Sequence, residues 1–254
     1  MGELTVRPET RGELMPRDAW EDNRVRNWHQ GSAIVVTSPS ETRYVTIESN
    51  YIQNAAQGID IHADFVVCRG NTVDHGLMGV KLTHGCRGAI ISDNLLTHID
   101  LWGILVNPGA ASLPAAAASE GAPARGQNID AGIVIAGNLI TDYGHGHEYW
   151  NWGGATNDQG SSYAIALMRP QRVGINPPLR DLLIQGNMVY DGGKDGGKYG
   201  VPAEAAARFR YALYVEPWED TDGNAALPLR VSVDGNHFNR GTLGIMNVNP
   251  KDLR

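Results

Sequence analysis

The sequence predicts an all-β solenoid, a chain wound into stacked coils of short strands. Three observations predict it. Six segments share one pattern, a β-rich run closing on asparagine: VTIESNYI, VVCRGNTV, AIISDNLL, IVIAGNLI, LLIQGNMV and VSVDGNHF. Their asparagines, Asn50, Asn71, Asn94, Asn138, Asn187 and Asn236, are separated by 21, 23, 44, 49 and 49 residues. A second run, opening on a small residue, follows most of them: GIDI at Gly58, GVKL at Gly79, GILV at Gly103 and LGIMNV at Gly244, with YAIAL and YALYV as the same element after long inserts. Finally, Val, Ile, Asn and Gly dominate the middle of the chain, with 31 glycines and only 3 phenylalanines, a bias toward strands and turns. Sandwich or barrel strands do not normally repeat in sequence, whereas one coil per repeat does.

Taken in order, the first recognisable strand is GSAIVV at Gly31, which reads as the second half of a coil. Residues 1–30, with Trp20 and Trp28, then read as an N-terminal cap or insert, and residues 31–254 as the β-helix domain or part of a longer one, because an open coil end exposes core and strand edges. Alternation along a strand sets side-chain direction. Val45 and Ile47, Val66 and Cys68, and Ala89 and Ile91 should point inward, with Glu48 over Arg69 as an exposed ion pair. Cys68 is expected to be a packed core thiol. In the second strands Ile59/Ile61, Val80/Leu82 and Ile104/Val106 should point inward. One outer row then runs Asp60, Lys81, Leu105, Ala166, Tyr214 and Met246, and the next His62, Thr83, Asn107, Met168, Glu216 and Val248. Asp60 beside Lys81 with His62 nearby is either a catalytic cluster or, as the plainer reading, an exposed salt bridge with a neighbouring histidine. Asparagine at one fixed corner has two causes: it tolerates the left-handed conformation, and stacked amides can form a ladder.

This pattern, over residues 31–248, resembles the right-handed parallel β-helix of the pectate-lyase-like superfamily. The resemblance implies a carbohydrate-active protein, most often a lyase, hydrolase or epimerase, and an extracellular or periplasmic setting. The N-terminus, MGELTVRPETRGELMPRD, has no apolar core of the kind a signal peptide needs. No run approaches ~18 apolar residues, so no membrane span is expected. Net charge is −7, which argues against nucleic-acid binding. Two cysteines, Cys68 and Cys86, make no disulfide framework.

The coils at Asn138 and Asn187 break into inserts at the same corner, 145–163 and 192–210, which are expected to lie side by side. The first holds GHGHEYWNWGG; the second holds Lys194, Lys198, Arg208 and Arg210, within a stretch (169–210) carrying seven basic residues against four acids. Aromatic faces with polar edges suit sugar rings, and basic residues suit their carboxylates. The expected site residues are therefore His145, His147 and Glu148 for proton transfer, with Lys198, Arg208 and Arg210 as neutralising cations. Tyr149, Trp150, Trp152, Arg169, Lys194 and Tyr214 are expected to bind substrate. Inserts at another corner span 107–132, 168–181 and 217–230. The first, rich in Ala and Pro, reads as a flexible loop or short exposed helix. The last, with Glu216 just before it, carries Glu219, Asp220 and Asp222, a candidate Ca²⁺ cluster of four without EF-hand spacing, or a solvated acidic turn.

His145-x-His147 with Glu148 lacks a third metal ligand at a convincing spacing. The Gly144–His145–Gly146 tripeptide resembles one in polygalacturonases, but their paired aspartates are missing here. His75 and His98 read as surface turn histidines, three coils from the inserts. The expected function is action on an acidic polysaccharide or oligosaccharide in the cleft between inserts 145–163 and 192–210, by β-elimination more readily than hydrolysis, because a uronate carboxylate must be neutralised before its α-proton can be removed. The alternative is a non-catalytic glycan-binding or structural β-helix of the adhesin or tail type.

Overall fold

A computed structural model describes residues 32–37, 41–141, 162–190 and 210–253. The chain is an all-β parallel solenoid with three faces. The first face is a six-stranded parallel sheet of Thr46–Glu48, Val67–Arg69, Ile90–Ser92, Ala131–Ala136, Arg180–Gln185 and Leu229–Asp234. The second and third faces belong to one continuous sheet, because Tyr51–Ile61, Thr72–Thr83 and Leu95–Asn107 each bend through the corner between them. In later coils that corner is interrupted: Leu139–Thr141, Met188–Tyr190 and His237–Phe238 continue the second face, and Tyr163–Leu167, Tyr211–Val215 and Gly244–Met246 the third. Ser32–Val36 pairs in parallel with the Gln57–Ile61 part of the next coil, so SAIVV is the second half of a coil, as the sequence suggests.

Each face contributes stacked columns of aliphatic side chains to the bore. Ile47, Cys68, Ile91, Ile135 and Ile184 form one; Ile52, Val73, Leu96, Ile140 and Val189 another; Ile59, Val80, Ile104, Ile165 and Leu213 a third. All are buried. β-branched residues suit this arrangement because their stiff side chains stack well on a pleated surface. Cys68 takes its place in the first column, and burial pushes its thiol up to about 12, as expected of a packed core thiol. Glu48 and Arg69 pair 2.9 Å apart on the exposed side of the same strands.

The asparagines form an unbroken ladder. Each Nδ2 donates to the Oδ1 of the next coil's asparagine, from Asn50 to Asn71, Asn94, Asn138, Asn187 and Asn236, at 2.8 to 2.9 Å. That same Oδ1 also accepts the backbone N–H of the preceding asparagine. The left-handed conformation belongs to the residue before each asparagine: Ser49, Gly70, Asp93, Gly137, Gly186 and Gly235 have φ between 56° and 65°. Asparagine is therefore used for its amide, and its tolerance of left-handed backbone has no part in the choice. A second left-handed column, Tyr44, Phe65, Gly88, Gly132, Asp181 and Arg230, turns the chain into the first face.

One alternative is settled and one expectation is corrected. The 107–132 insert is an extended loop with antiparallel bridges Leu113↔Asn128, Ala116↔Arg125 and Ser119↔Ala122, and not a helix. Pro114 and Pro123 oppose a helix, and Gly121 at φ +80° makes the tip. In the last coil Gly244 pairs with Tyr211 and Met246 with Leu213, so Met246 and Val248 pack on the bore and leave the outer rows. The small residue that opens this run lies one position away from the column of Gly58, Gly79 and Gly103.

At the corner joining the third face to the first, Asp130 is fully buried and accepts the N–H groups of Gly85 (3.2 Å) and Cys86 (2.9 Å). Burial outweighs those bonds and raises its carboxyl from the ordinary 3.8 to about 6. The folded state therefore holds this proton more tightly than the unfolded chain. The associated stability is complete below 3.8 and is lost as pH rises through about 6. Asp130→Asn, which keeps an acceptor but no charge, is expected to flatten the pH dependence across this window and to recover up to on the order of 3 kcal/mol above it. Denaturant unfolding of both proteins on either side of the window measures this.

Candidate functional site

The two broken coils leave the second face after Thr141 and Tyr190, which are register neighbours. They rejoin the third face at Tyr163 and Tyr211, also neighbours, with the Arg210 N–H bonded to the Ser162 carbonyl at 2.9 Å. The ends of the inserts thus adjoin, as the repeat spacing implies. Of the expected site residues, His145, His147, Glu148, Tyr149, Trp150, Trp152, Lys194, Lys198 and Arg208 lie outside the described residues.

The outer side of the third face carries two register rows. One runs Gln57, Met78, Trp102, Tyr163 and Tyr211; the other runs Asp60, Lys81, Leu105, Ala166 and Tyr214. Their centre is a second apolar cluster, separate from the bore, that includes Met78, Leu105, Tyr163 and Ala166, with Trp102, Tyr211 and Tyr214 packed against it. At the insert end the tyrosines gather. Tyr163 stacks on Tyr214 with ring centroids 4.0 Å apart and planes within 9°, and Tyr211 lies 6.2 Å from Tyr214.

Three expected site residues and one expected metal ligand meet at this patch. Arg210 hydrogen-bonds the Tyr163 hydroxyl, which also bonds that of Tyr214. Arg169 pairs with Glu216 at 3.4 Å, and its backbone N–H donates to Glu216 Oε2 at 3.2 Å. Burial, then the neighbouring Tyr214, pushes the Tyr163 hydroxyl up to about 12. Burial and the Glu216 charge raise Tyr214 as well. Both phenols are therefore neutral donors at ordinary pH. Register alone could have found Tyr163 and Tyr211, since both stand one residue before the small-residue position in their coils.

The acidic turn separates from Glu216. Trp218–Glu219 pairs antiparallel with Ala225–Ala226, and Asp220 closes the turn by accepting the N–H groups of Asp222 at 2.9 Å and Asn224 at 2.8 Å. Those bonds, led by the one from Asn224, hold its carboxyl below the usual range. Glu216 faces Arg169 instead. Among the described residues no three His, Cys, Asp or Glu side chains converge as a metal-binding set, so Glu216, Glu219, Asp220 and Asp222 do not assemble one.

At the far end of the rows Asp60, His62 and Lys81 do meet, and they are not the exposed salt bridge the sequence suggests: Asp60 is only 5% exposed. His98 is also buried, with Nδ1 3.0 Å from Asp74 Oδ1, and Asp74 is braced by Gln53 at 2.9 Å. Its neighbour Thr97 pairs with Thr141, so His98 adjoins the coil from which the first insert departs, closer than the repeat count suggests. No helix among the described residues is long and apolar enough to cross a membrane. The chain matches no family model, no curated protein and no solved structure.

Proposed function

We propose that this protein acts on an acidic polysaccharide lying along the outer side of the third face, by β-elimination. The observation that carries the proposal is the arrangement of Arg210 and Arg169 around the stacked Tyr163–Tyr214 pair. Flat aromatic surface takes the apolar face of a sugar ring, and a guanidinium takes a carboxylate through paired N–H donors. The parallel solenoid is the architecture of the pectate-lyase-like superfamily that the repeat resembles, which is an analogy of fold and leaves function to the site. In β-elimination a base removes the proton next to the uronate carboxylate, the electron pair becomes a carbon–carbon double bond, and the glycosidic oxygen departs and takes up a proton. Protonated phenols suit hydrogen bonds to the hydroxyl oxygens of a bound sugar. The sequence by itself offers His147 and Glu148 as acid and base candidates, with Lys198 and Arg208 as further cations.

A second reading, a non-catalytic glycan-binding β-helix, is favoured by one feature of the patch itself. Both phenols are held protonated and Glu216 is engaged by Arg169, so the tyrosine patch has binding groups and no ready base. The test is binding to a panel of acidic polysaccharides together with the ultraviolet absorbance of unsaturated uronate products. Arg210→Ala is expected to weaken binding by about tenfold or more, the loss of one charge-assisted hydrogen bond. Absorbance that rises with the wild-type protein supports the lyase. Binding with a flat trace supports the binder, and no binding to any acidic polysaccharide would sink both.

A further inference from the structure

The Asp60 end of the outer face holds a second constellation, built entirely from neighbouring coils. Asp60 Oδ1 lies 2.8 Å from His62 Nε2, and its Oδ2 lies 3.3 Å from Lys81 Nζ. Lys81 also donates to Gln57 Oε1 at 3.3 Å. His62 and His84 meet edge to face, with ring centroids 4.9 Å apart and planes at 87°. The 107–130 excursion presses its backbone onto this corner: Ala111 N–H lies 3.4 Å from His84 Nδ1, and a Cβ on Gly109 would stand 2.6 Å from Thr83 Oγ1.

A structural ion pair would need only Asp60 and Lys81. Here one buried carboxylate holds an imidazole and an ammonium at once. Burial works against the charge on Asp60, but the His62 hydrogen bond and the Lys81 charge outweigh it and keep the carboxyl below its usual range. An ionised Asp60 accepts the proton on His62 Nε2, which fixes the tautomer and leaves Nδ1 as the basic nitrogen. His84 is pushed toward the neutral form by burial first, then by His62 and Lys81. Lys81 has three N–H donors, of which Asp60 and Gln57 take two.

We infer that His62 is the proton-abstracting base of the proposed reaction, with Lys81 facing the uronate carboxylate and Asp60 as a positioning residue, while the tyrosine–arginine patch is a distal subsite on the same chain of sugars. The inference rests on the proposed reading of an acidic polysaccharide. In the step, His62 Nδ1 takes the hydrogen from the carbon bearing the carboxylate, and the electron pair passes toward that carboxylate beside Lys81. The pair then forms the double bond as the glycosidic carbon–oxygen bond breaks, and the imidazolium or a water protonates the departing oxygen. No co-reactant is required. The rows place Asp60 and Tyr214 four strand steps apart, roughly 19 Å at ordinary strand spacing, a span that an extended polymer bridges and a single sugar does not.

The experiment reads binding and proton abstraction separately. Polysaccharides that bind the wild-type protein are incubated with it in deuterated buffer, and exchange of the hydrogen next to the carboxylate is followed by NMR alongside unsaturated-product absorbance. His62→Gln is expected to lower proton abstraction by about a hundredfold or more while binding changes by less than about threefold. Asp60→Asn is expected to lower kcat with little change in KM, as an orienting group should. Retained binding shows that the variants fold. Exchange by His62→Gln at the wild-type rate, or a bound polysaccharide that the wild-type protein neither exchanges nor cleaves, would overturn the inference and leave the binding face standing. Absence of binding to every acidic polysaccharide would remove the proposed function and this inference with it.

Discussion

Replacing Asn94 with alanine is expected to lower the free energy of unfolding by on the order of 4 kcal/mol, read as a shift in denaturant midpoint with little change in slope. Asn94 is 1% exposed and sits in the middle of the ladder. Its Oδ1 accepts the backbone N–H of Asn71 at 3.0 Å and the Asn71 amide at 2.9 Å. Its Nδ2 donates to the Cys68 carbonyl at 3.1 Å and to Asn138 Oδ1 at 2.9 Å. Alanine removes all four bonds and leaves an apolar hole that water enters only at a cost, so the Asn71 N–H and the Cys68 carbonyl lose these partners together, while Asn138 Oδ1 keeps the Asn94 backbone N–H. An unsatisfied buried group costs roughly 1–3 kcal/mol, which is why two or more dominate the sum. Asn50 is the internal control. It is half-buried, and its removal still leaves its backbone N–H to serve Asn71 Oδ1 at 3.1 Å. Asn50→Ala is expected to cost only about 1 kcal/mol. Equal losses at the two positions would show that neither burial nor the number of amide bonds removed sets the cost.

Gly79→Ala is expected to destabilise by about 3 kcal/mol, the upper part of the range for overpacking, and thermal unfolding measures it. The reason is steric. A Cβ on Gly79 would stand 2.5 Å from the Gly103 carbonyl oxygen and 3.1 Å from Leu96 Cδ1. Gly58 and Gly103 meet the backbone of the following coil in the same way, at 2.6 Å each. A flexible side chain can retreat from an added methyl, but a carbonyl held in a parallel ladder moves only if two coils part. Beyond the first insert the column changes to Ala164 and Ala212, which are fully buried and still small. Gly186 offers the contrast: it lies at φ +62°, and a methyl added there would have nothing within 4 Å. Alanine there strains the backbone by roughly 1–2 kcal/mol and meets no neighbour. A larger loss at Gly186 than at Gly79 would mean that backbone strain, and not coil spacing, governs these glycines.

What the sequence by itself determined is the periodic part of the protein. A slip of one residue would turn every inward side chain outward, so alternation together with a recurring asparagine leaves the register of the early coils no freedom. Ile47, Cys68 and Ile91 in one column, the Glu48–Arg69 pair and the six-membered amide ladder were all legible for that reason. Tyr214 and Arg210 could be read as site candidates from the same spacing. Only the tertiary structure decided where periodicity stops. Gly244 shows it, because a terminal small residue carries no information about which neighbour it will face. Tyr163, stacked on Tyr214, and the Asp60–His62–Lys81 group, which the sequence offers as an exposed ion pair, show it for the site. Residue order sets which way a strand side chain points. How much water reaches it depends on segments far away in the chain, and such packing has no repeat from which it could be read. Asp130, carried by the longest described excursion and buried beneath His62's corner, owes its raised affinity for a proton to that distant packing alone.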